Sequence, residues 1–325
     1  MNMHLSKAQV LPEAVFNTFH DGRVVFTASH TARGTHLTAF EPNSLAPLVR
    51  LRLEKIPVRP DFVASEDRVF YISSGGLIGV DSYSGEPLTA VDTGAGIPML
   101  FEIMGDRIYA LCGVPLMNGM RYGFESFCLV VCDLETGSKI SQSQTVTGQY
   151  SSLRCHNDQV YMTVGDYLHC FSQTGELLGS TTVKVKSKFP IVFSDRVVVL
   201  ATDSGLMETV ALSGLLPERR MVYGRSRTPP VALGDRIAWC CEDGVYIAKS
   251  CASECYRVDA EVANAVVVYE DSVFWTDASG KVSGMNTSNR HVESIILHDK
   301  GINRIMQFGG NLYVFSESHL FKIGV

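Results

Sequence analysis

The chain has 325 residues, of which 46% are hydrophobic and 19% are charged, and its net charge is −6. This balance is typical of a globular protein and excludes a largely disordered chain. The acidic balance argues against a protein that coats nucleic acid, and no stretch approaches the roughly 18 apolar residues that a membrane-spanning helix needs.

The N-terminal segment and the cysteines together indicate a compartment. The sequence begins MNMHLSKAQVLPEAVF, which has no continuous apolar stretch of the kind found in a signal peptide. Nine cysteines, an odd number, lie mostly in apolar runs such as "SFCLVVCDL". Such thiols behave as small buried hydrophobic groups. We therefore expect reduced cysteines and a cytoplasmic protein.

A short phrase recurs along the chain, in which a polar turn leads into an aliphatic run, as in "SEDRVFYI", "MGDRIYAL" and "FSDRVVVL". The turn position falls at eight places that are 36 to 52 residues apart: Gly22, Asp67, Asp106, Asp158, Asp195, Asp235, Asp271 and Gly310. The second and third residues after it are apolar in all eight copies. Because side chains alternate between the faces of a strand, both faces of each of these strands should be buried.

Each copy of the phrase belongs to a larger unit. In the second copy, four short strands, named A to D here, are predicted at 60–65, 67–73, 75–82 and 88–93. Glycine recurs in the C–D turns, as in "SGEP" and "ETGSK", where the turn requires a positive φ. Four antiparallel strands in a unit of about 40 residues are the signature of a β-propeller blade. The sequence therefore predicts an all-β, eight-bladed propeller that forms a single domain over residues 1–325.

The two ends of the chain complement each other. The last copy supplies only three strands, at 303–308, 311–316 and 319–324, while a surplus segment at 5–11 precedes the first A strand. An N-terminal strand that completes the last blade would close the ring and remove two exposed sheet edges. A ring of seven blades is the alternative.

One spacing is abnormally long. The 52-residue interval comes from "GVPLMNGMRYGFES" at 113–126, which we interpret as a loop inserted between strands B and C of the third blade. Long loops in compact domains are usually functional or disordered. Methionine, aromatic residues and arginine, all present in this segment, are favoured at protein interfaces.

The connections of a propeller are divided between its two faces. D–A and B–C connections lie on one side, called the D–A/B–C face here, and A–B and C–D turns lie on the other. The D–A segments carry Lys55, Arg59, Lys186, Lys188, Arg225, Arg227, Lys300 and Arg304 against Glu54, Asp259, Glu261 and Asp299. The D–A/B–C face is therefore expected to be locally basic, and the opposite face mixed but acid-leaning. A basic patch attracts an acidic peptide, a carboxylate or a phosphate.

These observations predict a non-catalytic module that binds or scaffolds another protein or peptide through an acidic segment. Eight candidate binding residues follow, three from the inserted loop and five around the pore: Arg121, Tyr122, Phe124, Tyr150, Lys188, Arg225, Arg227 and Arg304. No nucleic acid partner is expected.

The C-strand phrases "VVCDLETGSKI" and "IGVDSYSGEPLTA" resemble the repeat of PQQ-like propellers. That family comprises the quinoprotein dehydrogenases and cofactor-free relatives such as outer-membrane assembly scaffold lipoproteins. The resemblance implies the propeller fold. Quinoprotein repeats typically carry a tryptophan after the C–D turn, whereas Trp239 and Trp275 lie on predicted B strands here. The resemblance therefore points to a member without a cofactor, and a quinoprotein relative remains an alternative.

No set of residues meets the requirements of a catalytic or metal site. Cys251 and Cys255 have CxxxC spacing but no second ligand pair nearby, and no G-x-S-x-G motif is present. The alternative function is a propeller-class lyase or hydrolase that acts on a small or carbohydrate-like ligand in the central channel. Such an enzyme would bring His, Asp or Glu together at the pore, and the histidine candidates are His156, His169, His291 and His298.

Overall fold

The computed structural model describes residues 3–94, 96–118, 121–222, 224–226, 228–249, 255–260, 263–277, 279–297, 299, 301–302, 304–316 and 318–325. Within these ranges the regular structure consists of antiparallel β-strands, arranged in eight separate sheets. Strand β1 (His4–Val10) comes first in the chain and belongs to the last sheet. Each of the other sheets is built from consecutive strands, as expected for propeller blades.

The first four blades follow in chain order. The first contains β2 (Val15–His20), β3 (Val25–Thr31), β4 (Gly34–Phe40) and β5 (Pro47–Arg52). The second contains β6 (Pro57–Ser65), β7 (Arg68–Ser73), β8 (Gly76–Asp81) and β9 (Pro87–Ala90). The third contains β10 (Ile97–Met104), β11 (Arg107–Asn118), β12 (Arg121–Asp133) and β13 (Lys139–Gln142), with the short β14 (Val146–Thr147) also paired to β12. The fourth contains β15 (Tyr150–His156), β16 (Gln159–Val164), β17 (Tyr167–Ser172) and β18 (Leu177–Thr182).

The remaining blades complete the ring. The fifth contains β19 (Val192–Phe193), β20 (Val197–Ala201), β21 (Leu206–Ala211) and β22 (Pro217–Val222). The sixth contains β23 (Val231–Leu233), β24 (Arg236–Cys241), β25 (Gly244–Lys249) and β26 (Cys255–Val258). The seventh contains β27 (Ala263–Tyr269), β28 (Ser272–Asp277), β29 (Lys281–Asn286) and β30 (Val292–Ile296). The eighth contains β31 (Arg304–Phe308), β32 (Asn311–Phe315), β33 (His319–Gly324) and β1.

The hydrophobic core is divided among the interfaces between blades. Eight apolar clusters form among the described residues, and each joins two neighbouring blades, including the eighth and the first. Successive residues of a B strand enter different clusters: Val69 packs towards the first blade and Phe70 towards the third. Both are fully buried. The prediction that B strands are buried on both faces is confirmed.

The N-terminal strand closes the ring, as the sequence predicted. Strand β1 pairs antiparallel with β33, from His4 opposite Gly324 to Val10 opposite His319. This pairing supplies the fourth strand of the eighth blade, so the seven-bladed alternative is wrong. Most side chains of β1 are exposed, and the strand is therefore held chiefly by its backbone hydrogen bonds.

The third blade is longer than the others. Strand β11 has 12 residues and β12 has 13, whereas the B strands of the other blades have 5 to 7. The segment at 113–126, predicted as an inserted loop, continues these two strands as a hairpin in which Met117 lies opposite Tyr122. At about 3.3 Å per residue, the six added residues of β11 extend it by roughly 20 Å beyond an ordinary B strand.

Candidate functional site: the mouth of the central channel

The A strands surround the centre of the ring, because the A strands of neighbouring blades contact each other around most of it. Two cavities lie among these A strands. One, of about 300 Å³, lies among the A strands of the first four blades and the connection that precedes the fifth. The other, of about 480 Å³, lies among the first, sixth, seventh and eighth blades. Both volumes fall within the range of small-ligand sites, the smaller one at its lower limit.

The smaller cavity contains charged side chains. Arg154 on β15 donates a hydrogen bond to the carboxylate of Glu102 on β10, and Asp61 on β6 lines the same cavity. Burial raises the pKa of Glu102, Arg154 opposes that rise, and the nearby Asp61 adds to it, so that the net pKa lies above its ordinary value. No ion pair joins Asp61 to any described residue. Lys188, one of the predicted binding residues, also lines this cavity. This half of the channel therefore holds two carboxylates, the guanidinium of Arg154 and the ammonium group of Lys188.

Aromatic side chains connect the channel mouth to the third-blade hairpin. Arg59 donates a hydrogen bond to the hydroxyl of Tyr150, and its guanidinium lies 5.4 Å from the centre of that ring. The ring of Tyr150 lies 5.0 Å from Phe127, which lies 6.5 Å from Phe124. Tyr150 and Phe124, both predicted from the sequence, are thus linked through a residue that sequence reasoning did not select.

The basic residues of the D–A/B–C face have acidic neighbours. Lys188 contacts Asp203 and Lys186 contacts Asp166, each at 3.0 Å, and both acidic residues come from B–C turns. Arg257 contacts Asp243, again in a B–C turn, at 3.0 Å. The expectation of a locally basic face counted only the D–A segments. The acidic B–C turns offset that charge, so the face is mixed.

The other predicted residues occupy different positions. Arg304 lies on the A strand of the eighth blade and lines the larger cavity. Arg225 is exposed on the connection to the sixth blade, where its carbonyl accepts a hydrogen bond from the backbone of Glu242 at 3.3 Å. The side chains of Arg121 and Tyr122, and all of Arg227, lie outside the described part of the chain.

The three histidine candidates that the structure describes do not meet at the channel. His156 stacks on Phe193 with ring centres 4.2 Å apart, and the buried His169 bonds to Ser180 Oγ at 2.8 Å. His291 contacts Glu293 at 3.4 Å, and His298 lies outside the described residues. Two carboxylates that were not named as candidates, Asp61 and Glu102, do share a cavity in the channel.

The described cysteines are free thiols. Cys112 and Cys128 lie directly opposite each other on β11 and β12. Burial raises the pKa of both, and it raises that of Cys240 to about 12, so these thiols stay protonated near neutral pH. Within the described ranges, no group of three His, Cys, Asp or Glu side chains has the geometry to hold a metal ion.

Sequence reasoning missed the charged residues of the smaller cavity. Glu102 and Arg154 stand in the middle of the predicted A strands "LFEIM" and "SSLRC". A charged residue within an otherwise apolar inner strand needs a partner, since burial of an isolated charge is costly. That pattern could have identified Glu102 and Arg154, although not their pairing.

The strand order and the closed ring define the protein as an eight-bladed β-propeller. No protein-family model matches the chain, and no curated protein sequence matches it. Among solved structures, the computationally designed Ika8 protein is similar, with 11% sequence identity, 97% of each chain covered and a TM-score of 0.71. BamB from Moraxella catarrhalis is also similar, with 14% identity, 100% of this chain and 98% of the other covered, and a TM-score of 0.70.

At these identities the similarity establishes the fold and not the activity. The propeller predicted from the repeat is confirmed, while membership of the PQQ-like family remains a prediction. In the described part of the chain, no helix has the length and apolar character needed to cross a bilayer.

Proposed function

We propose that this propeller is a non-catalytic protein-binding or scaffolding module that uses its D–A/B–C face and captures an acidic segment or peptide. The observation that carries the proposal is the extended β11–β12 hairpin, which the rings of Phe124, Phe127 and Tyr150 connect to the channel mouth. Rigid aromatic side chains beside arginine are the residues that most often dominate binding energy at interfaces. A cofactor-free state and a cytoplasmic location belong to the same proposal.

Two features near the hairpin support protein binding. Ile56 and Val58, which lie close to Arg59 in sequence, are 65% and 58% exposed, so the face offers apolar surface as well as charge. The ion pairs of Lys186 and Lys188 are also exposed. Exposed pairs contribute only about 0–1 kcal/mol, so a carboxylate of a partner can replace Asp166 or Asp203 at small cost.

Two changes test the face directly. We expect Arg225→Glu combined with Arg227→Glu, and separately deletion of residues 114–125, to reduce partner capture at least tenfold without unfolding the propeller. Charge reversal repels an acidic segment, and the deletion removes the hairpin. The measurement is affinity purification from the native host with mass spectrometry, followed by titration of the recovered partner.

The control is Arg23→Glu, because Arg23 is exposed in an A–B turn on the opposite face. It should leave capture unchanged, and circular dichroism should show that all variants are folded. If the charge-reversal and deletion variants both recover the same partners as the unmodified chain, the proposed face is wrong.

A second candidate function is a propeller-class lyase or hydrolase. The observation that favours it is the shared cavity of Asp61 and Glu102, since a carboxyl with a raised pKa is suited to general acid catalysis. If a screen of small and carbohydrate-like substrates finds turnover, Glu102→Gln should abolish it. The exposed Glu66→Gln, in an A–B turn, should not affect it.

A further inference from the structure

The larger channel cavity has a composition of its own. Its apolar lining includes Val15, Ala265, Ile305 and Met306, and Arg304 is the one charged side chain among the described residues that line it. Its volume of about 480 Å³ is sufficient for a small organic group. Because the cavity lies at the start of the A strands, it opens towards the D–A/B–C face.

Arg304 has no acidic partner among the described residues. Its Nη1 donates to Asn17 Oδ1 at 3.1 Å and its Nη2 donates to the carbonyl of Phe16, so both acceptors are neutral. Burial alone lowers the pKa of Arg304, with no carboxylate acting against it. Arg154, across the channel, differs because Glu102 accompanies it.

A half-buried cation without a counter-charge attracts an anion of matching shape. A guanidinium has five N–H donors arranged in a planar fork, and the neutral acceptors of Arg304 account for two of them. The remaining donors suit a carboxylate, which can accept two parallel hydrogen bonds. An anion bound here would also offset the electrostatic cost of the half-buried charge.

We propose that the larger cavity binds a carboxylate that carries an apolar group, with Arg304 pairing with the carboxylate and the apolar lining holding the attached group. The occupant is the C-terminal carboxylate of a partner peptide whose last residue is aliphatic. This assignment of the occupant rests on the proposed function, since the peptide reaches the cavity from the D–A/B–C face. A free aliphatic carboxylic acid has the same chemistry and is distinguished by the test.

The test uses three probes and calorimetric titration of the full chain. The probes are an N-acetylated Gly-Gly-Ser-Leu peptide with a free C-terminus, the same peptide with a C-terminal amide, and 4-methylpentanoate. We expect the free-acid peptide to bind at least tenfold more tightly than the amide. Tighter binding of 4-methylpentanoate than of the acid peptide would assign the cavity to a small free carboxylate instead of a peptide terminus.

Three variants assign the effect to the cavity. Arg304→Gln removes the charge, and Ala265→Phe fills the cavity while keeping the arginine; both should abolish the preference for the acid. Arg23→Gln, which changes an exposed arginine in an A–B turn on the opposite face, is the matched control and should retain it. Arg304 joins the eighth blade to the first, so if Arg304→Gln does not fold, Ala265→Phe decides the result.

Equal binding of acid and amide, or an unchanged preference in a folded Ala265→Phe variant, would overturn the assignment. These outcomes are separate from a failure of the proposed function. If the face variants lose the natural partner while Ala265→Phe retains it, the binding face stands and the channel occupant is wrong. If the face variants retain the partner, the proposed face fails, and the calorimetric comparison of acid and amide still decides whether Arg304 binds a carboxylate.

Discussion

Deletion of residues 1–10 is expected to lower the free energy of unfolding by about 4 to 6 kcal/mol, since each net backbone hydrogen bond contributes about 1 kcal/mol. Strand β1 supplies the outer strand of the eighth blade and pairs with β33 at six positions. Its side chains are mostly exposed, so the loss comes from the backbone. The uncovered edge of β33 should also promote association between chains.

Urea denaturation followed by circular dichroism measures the loss, and sedimentation measures association. A synthetic peptide covering residues 3–11, added in excess, should restore part of the stability by occupying the vacant edge. The same peptide with proline at the position of Gln9, whose backbone faces Leu320 of β33 in the alternation that Leu11 N and Ser318 O begin, should restore less. If the truncated chain unfolds at the same urea concentration as the full chain, the closing strand does not stabilise the ring.

Arg154→Met is expected to lower the free energy of unfolding by about 2 kcal/mol at pH 7, because it leaves the mostly buried Glu102 carboxylate without its cation. The Arg154 side chain is 41% exposed, so the loss is smaller than for a fully buried pair. The loss should be smaller near pH 4. The folded-state pKa of Glu102 is already raised by burial, and Arg154 is the main group that lowers it. The variant therefore raises that pKa further.

The direction of the pH dependence follows from the raised pKa. A carboxyl with a raised pKa in the folded state contributes its full stability below its unfolded pKa, and it loses that contribution as the pH rises through the folded pKa. The difference between the variant and the unmodified chain should therefore widen from pH 4 to pH 7. Urea denaturation at several pH values measures it.

Two further variants compare the contribution of the Glu102–Arg154 pair to stability with that of an exposed surface pair. Adding Glu102→Gln to Arg154→Met should recover much of the stability at pH 7, because the unpaired carboxylate is removed. Lys186→Met breaks an exposed pair with Asp166 and should cost about 1 kcal/mol or less. An Arg154→Met effect that is equal at both pH values would show that Glu102 does not carry the coupling.

The fold was largely predictable because its determinants are local and repeated. Each B strand must be apolar on successive residues, because a neighbouring blade packs against each of its two faces. This pattern follows every turn position from Gly22 to Gly310. A pattern that appears eight times identifies the blade more securely than one copy would. The ring closure followed from a missing strand at one end and a surplus strand at the other.

The candidate site was predictable only in part. The anomalous spacing located the third-blade segment, and the division of connections between the two faces led to the choice of Tyr150 near the pore. Strand pairing determined that the segment is a hairpin. The charge of the D–A/B–C face was misjudged because the acidic B–C turns come from other parts of the chain and meet Lys186 and Lys188 only in three dimensions.

The sequence by itself determined the class of fold, the number of blades and the way the ring closes, since these depend on hydrophobic patterning and turn residues that act over a few positions. Only the tertiary structure decided which charges meet in the channel. Glu102 and Arg154 come from different blades and form a pair, whereas Arg304 faces an apolar cavity without a carboxylate among the described residues. Which charged side chains meet depends on how the A strands of eight blades are arranged around the channel. A pattern within one stretch of sequence does not contain that information.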